Sequence, residues 1–114
     1  MGARARLADG LEPVYQLDQH AAMTARALLV QQHGKHSEAE ALLAEAAGRW
    51  ERFEVPWEQA QALLEQGRCL LALGRPTEAG EPLRAARDIF ASLGANPVLT
   101  EADRLLAQAT ALTA

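Results

Sequence analysis

Gly34-Lys35-His36-Ser37-Glu38-Ala39 returns forty residues later as Gly74-Arg75-Pro76-Thr77-Glu78-Ala79, and this pair of hexapeptides decides the fold. Glycine tolerates the left-handed conformation that closes a helix. A hydroxyl residue followed by glutamate and alanine suits the opening of the next, so Ser37 and Thr77 are candidate N-caps. Glu40 and Glu81 then lie near the positive end of the helix dipole. Pro76 cannot continue the preceding helix. Each hexapeptide therefore reads as the turn of a helical hairpin.

The offset of forty holds outward from the turns. Upstream it pairs Met23 with Leu63, Ala27 with Gly67 and Val30 with Leu70. Downstream it pairs Leu43 with Leu83, Ala46 with Ala86, Trp50 with Phe90 and Phe53 with Leu93. Small residues fall opposite small and large opposite large, which is the signature of a structural repeat. The first helix of unit one runs from Asp18 to His33, with Ala22, Met23, Ala27 and Val30 on one face. The second helices run from Ala39 to about Phe53 and from Ala79 to about Leu93. Gly80 and Pro82 are read as early in the latter, where proline is tolerated. A fifth helix, about Val98 to Leu112, matches the first-helix pattern at an offset of 42, pairing Leu63, Gly67 and Leu70 with Leu105, Ala109 and Leu112.

The organisation expected is an N-terminal segment at 1–12 and a repeat domain at 13–114. Within the domain, repeat one spans about 16–55, repeat two about 56–95 and the fifth helix about 97–113. Two readings of the first segment stand side by side. Ala3 to Asp9 is either the remnant of a preceding helix ended by Gly10, or a frayed terminus.

Composition agrees with an all-α chain. The 114 residues include 25 alanines and 18 leucines, against four valines and one isoleucine, Ile89. Alanine and leucine lead the helix scale, while sheets favour the β-branched residues scarce here. The net charge is −4 and the eleven Lys and Arg are scattered, not clustered; a nucleic-acid binder usually shows a basic face that neutralises phosphates, so direct nucleic-acid binding is disfavoured. The single cysteine, Cys69, sits in a leucine-rich run and reads as a small core residue. The first ten residues hold no apolar stretch suited to a signal peptide, and no window approaches the roughly 20 apolar residues of a membrane span. A soluble, cytoplasmic protein is expected, with no membrane contact.

These spacings resemble the tetratricopeptide repeat. Leu63, Gly67, Leu70, Gly74, Ala79, Leu83 and Ala86 occupy its signature places in one unit; Met23, Ala27, Val30, Gly34, Ala39, Leu43 and Ala46 do so in the other. The likeness covers residues 18–113 and implies antiparallel hairpins stacked as a short right-handed TPR-like solenoid of about five helices. The sequence departs from that family in its period, forty instead of about 34, and in lacking a proline after the second helix. Longer runs, from Trp50-Glu-Arg-Phe-Glu-Val-Pro-Trp57 through Phe90-Ala-Ser-Leu-Gly-Ala95, are similar to the helical arrays of large ATP-dependent LuxR-type (MalT-like) bacterial transcription regulators. There the array is a sensor and interaction arm between a nucleotide-binding module and a helix-turn-helix. No Gly-x-x-x-x-Gly-Lys-Ser/Thr loop occurs here, so neither ATP nor DNA binding is carried over.

A stack of this kind exposes a groove lined by the first helix of each pair. Register places Ala21, Thr24, Leu28 and Gln31 along it from the first unit, Gln61, Leu64, Arg68 and Leu71 from the second, and Asp103 and Leu106 from the fifth helix. The four leucines would floor a groove for an extended or helical peptide, with Arg68 pairing a carboxylate. The plainer alternative is that the leucines are covered, by the N-terminal segment or by a second copy of the chain. Some tetratricopeptide proteins grip a C-terminal carboxylate with lysine and asparagine. Thr24, Leu28, Leu64 and Arg68 stand at those places, so that clamp is absent.

Other constellations are weak. Trp50, Phe53, Trp57 and Phe90 bracket the linkers and read as filling between hairpins. His20, His33 and His36 share no helix face and supply no metal set. The Glu38/Glu40 and Glu78/Glu81 pairs suit helix starts more than acid–base chemistry. The expectation is a protein-binding scaffold with a protein or peptide partner, no cofactor and no enzymatic activity. Self-association as a homodimer, through the terminal helices or the groove, is the alternative.

Overall fold

The computed structural model describes residues 25–113, and all five elements in that range are α-helices. Helix α1 covers residues 25–32 of this range. It is followed by α2 (His36–Arg52), α3 (Pro56–Ala72), α4 (Pro76–Leu93) and α5 (Asn96–Thr113). Each of α2 to α5 packs against its neighbours in sequence, and α3 also touches α5. Met23, Thr24, Ala21, His20 and the 1–12 segment lie outside the described residues.

One turn design is used four times. Gly34, Glu54, Gly74 and Gly94 all take a positive φ, 78°, 59°, 72° and 67°. In each turn the next amide donates to the carbonyl five residues back: Lys35 to Val30 (3.2 Å), Val55 to Trp50 (3.1 Å), Arg75 to Leu70 (2.9 Å) and Ala95 to Phe90 (3.0 Å). This wrap satisfies the orphan carbonyls of the ending helix. The turns recur every twenty residues, so the forty-residue repeat consists of two equal helix–turn units. Its excess over 34 residues is shared by both helices.

The helix starts differ from the sequence expectation. Ser37 and Thr77 are not N-caps: α2 begins at His36 and α4 at Pro76, and no side-chain cap bond is made at either start. The carbonyls of Lys35 and Arg75 already accept from the Ala39 and Ala79 amides, at 3.0 and 3.1 Å. Proline explains the earlier start in α4, because its fixed φ and missing donor suit the first helical position. Pro82 is consequently the seventh residue of α4, beyond the first turn, and leaves the Glu78 carbonyl without an amide four residues on.

Two cores fill the stack. Ala27, Ala39, Leu43, Ala46, Ala47, Trp50, Ala62 and Cys69 form one between α1, α2 and α3. Leu64, Leu70, Ala79, Leu83, Ala86, Phe90, Ala102, Leu105 and Ala109 belong to the other, between α3, α4 and α5. The forty-residue pairs Ala39/Ala79, Leu43/Leu83, Ala46/Ala86 and Trp50/Phe90 are all buried, and Leu63 packs against both cores. Gly67 shows how close the helices come: a β-carbon there would lie 2.5 Å from the Leu83 Cγ. Trp57 meets Phe90 edge-on, ring centroids 5.5 Å apart at 68°.

The fifth helix sets its register at forty, not 42. Its start lies forty residues after that of α3. Ala102 and Ala109 pack towards α4 as Ala62 and Cys69 do towards α2.

Candidate protein-binding groove

The first helices of the repeat, α1, α3 and α5, carry the candidate groove. At 3.6 residues per turn, Gln61, Glu65, Arg68 and Ala72 share one face of α3. That face looks away from both cores, and the first three side chains are half-buried while Ala72 is exposed. Arg68 is not a free cation. Its Nη2 pairs with the Glu101 carboxylate of α5 at 2.8 Å, and its Nε donates to Glu65 at 3.2 Å. Glu101 in turn accepts hydrogen bonds from Arg104 Nε and Nη2, each at 2.8 Å.

The hydrogen bonds from Arg104, then the Arg68 and Arg104 charges, hold the Glu101 carboxyl down at about 2. Opposite charge and donated hydrogen bonds both favour the ionised form. The result is a cross-helix ion network of alternating sign that ties α3 to α5 along the groove.

The apolar floor does not form as expected. Leu64 is 2% exposed and lies in the second core, because α3 is enclosed by α4 and α5 on that side. Leu71 is half-buried and packs on the same core. Leu106 also packs there, and it lines a 220 Å³ hollow on the α4 side with Pro76, Thr77, Gly80 and Arg84, well round the helix from Glu101. Asp103 is exposed on the side of α5 away from Glu101. Leu28 remains open at 36% exposure, with Gln31 half-buried beside it. Thr24 lies outside the described residues.

The α3–α5 face that emerges is polar, and Leu28 on α1 stands forty residues before Arg68, at the equivalent repeat position. Glu65, Glu101 and Arg104 were missed in the sequence, although the Glu65/Arg68 and Glu101/Arg104 spacings of three mark ion pairs on a helix. Cys69 is fully buried, and its thiol is pushed up to about 11, first by that burial and then by the Glu65 and Glu40 charges. Among the described residues no helix is long and apolar enough to cross a membrane.

Compared with models of protein families, with curated proteins and with solved structures, the chain matches none.

Proposed function

We propose that the protein is an interaction scaffold whose α1–α3–α5 face holds an extended or helical segment of a partner protein, with no catalytic step of its own. The observation that carries this reading is the Arg68–Glu101 bridge. It joins two first helices into one ledge of preset charges, and preorganised polar groups select a partner without being reordered on binding. Its alternating signs suit a partner carrying both acidic and basic groups. The forty-residue period and paired aromatic turns support the likeness to the interaction arms of the large bacterial regulators.

A photo-crosslinking residue placed at Gln61 tests this, with the same residue at Glu51, on α2 outside the groove, as control. Crosslinks to one partner from Gln61 and none from Glu51 are expected. Equal labelling from both positions would sink the groove assignment. Self-association draws some support from Leu112 on α5 at 60% exposure and Leu29 on α1 at 55%, although exposed Thr110 and Thr113 flank the former. A single-chain mass in light scattering across concentrations would dismiss it.

A further inference from the structure

The opposite side of α3 carries a second feature. Leu63, Gln66 and Leu70 lie about half a turn from Gln61, Glu65 and Arg68. With α2 and α4 they line a cavity of about 390 Å³. Leu63, Leu70 and Pro82 give it apolar walls, and Glu40, Glu78 and Glu81 bring three carboxylates to it. Arg75, the one cation there, is engaged: it forks onto Glu78 at 2.5 and 2.7 Å. Three negative charges against one positive leave two uncompensated.

Glu40 is held in place by Gln66 Nε2 at 2.9 Å, and Glu81 has no side-chain partner among the described residues. The negative field of Glu40 reaches both Arg75 and the Cys69 thiol, where it adds to larger local causes.

We propose that this cavity is a docking site for an arginine side chain carried by a segment of a partner protein. Apolar walls suit the aliphatic stem, and the lining carboxylates suit the guanidinium, which is weakly hydrated and pairs with them in a fork. The volume is right for one large side chain and its flanking backbone, and lies at the small end of ligand sites. The site uses the face opposite the groove and does not depend on it.

The test is a titration of the isotope-labelled full chain with acetyl-Ala-Leu-Arg-Leu-Ala-amide, followed by NMR. Shifts are expected at the Gln66 side-chain amide and the Ala85 backbone, with Gln61 and Arg68 unmoved. The isosteric, uncharged citrulline peptide is expected to bind about tenfold or more weakly, since charge-assisted pairing is lost. The Glu40→Gln/Glu81→Gln variant, with its helicity checked by circular dichroism, is expected to show the same loss for the arginine peptide. Equal affinity for the citrulline peptide would overturn the proposal. So would a shift map centred on Arg68, or no shifts at millimolar peptide. Free argininamide binding as tightly as the peptide would mark a small-cation site and overturn the docking role.

Discussion

Gly67 and Gly80 both stand inside helices, and the structure gives them opposite roles. A methyl at Gly67 would overlap Leu83 in the middle of the second core. Gly67→Ala is therefore expected to destabilise by about 1–3 kcal/mol as an overpacking change, despite alanine's better helix propensity. At Gly80 the nearest atom to a β-carbon is the far end of Arg84, at 3.0 Å. That side chain can move aside, so Gly80→Ala should stabilise by up to about 1 kcal/mol. Urea denaturation of both variants checks the pair, and a stabilising Gly67→Ala would refute the packing account. Glu54 is the inverse case, a side chain held at φ 59° where the three equivalent turns have glycine. Left-handed backbone costs a residue with a β-carbon about 1–2 kcal/mol, partly offset by glycine's freedom in the unfolded chain. Glu54→Gly is expected to raise the urea midpoint by the equivalent of about 1 kcal/mol; an unchanged or lower midpoint would show that the turn carries no such strain.

Among the elements, the second helices of each unit were the most legible in the sequence. Ala39/Ala79, Leu43/Leu83 and Ala46/Ala86 announce one buried face each, and that face meets the same kind of neighbour in both units. Helix α3 was harder, because it is packed by α2, α4 and α5 and so has little open face. Helical spacing with one open stripe would put Leu64 and Leu71 at the surface, whereas a third neighbour buries Leu64 and half-buries Leu71. Glu54 was illegible for a different reason: no glycine marks its turn. The helix starts were misplaced because the turn's own wrap and Pro76 set them, not a hydroxyl cap. The α3–α5 contact makes a prediction that depends on pH. Glu101 is held down at about 2 in the fold, chiefly by Arg104 and then Arg68, against an ordinary 4.5. As the folded value is the lower one, its contribution is complete above about pH 4.5 and is lost as pH falls towards 2. The pair is partly exposed, so the loss is expected to be at most about 1 kcal/mol. Stability curves of the native chain and of Glu101→Gln should run parallel above pH 5 and converge below 4.5; curves parallel down to pH 2 would show that the network does not stabilise the fold.

At the scale of the molecule, two cores share one wall. Stacked units interact only with their neighbours, so an array can in principle unfold piecewise. Here α3 faces both cores, with Leu63 packed against each, and Gly67 fits so closely against Leu83 that α3 and α4 cannot separate without opening the second core. Loss of the first core strips α3 of Ala62 and Cys69 contacts and weakens the second. Coupling of this kind predicts a single cooperative transition. The two tryptophans allow each core to be watched alone: Trp50 is buried in the first, and Trp57 rests on Phe90 of the second. In the Trp57→Phe variant, Trp50 fluorescence should follow the same urea curve as circular dichroism. In the Trp50→Phe variant, Trp57 fluorescence should do likewise, although the midpoint falls because a core side chain has shrunk. Comparing two probes within each variant removes that shift from the test. A Trp57 signal that persists after half the helicity has gone would mean that the second core stands without the first, and that α3 is a hinge between two units.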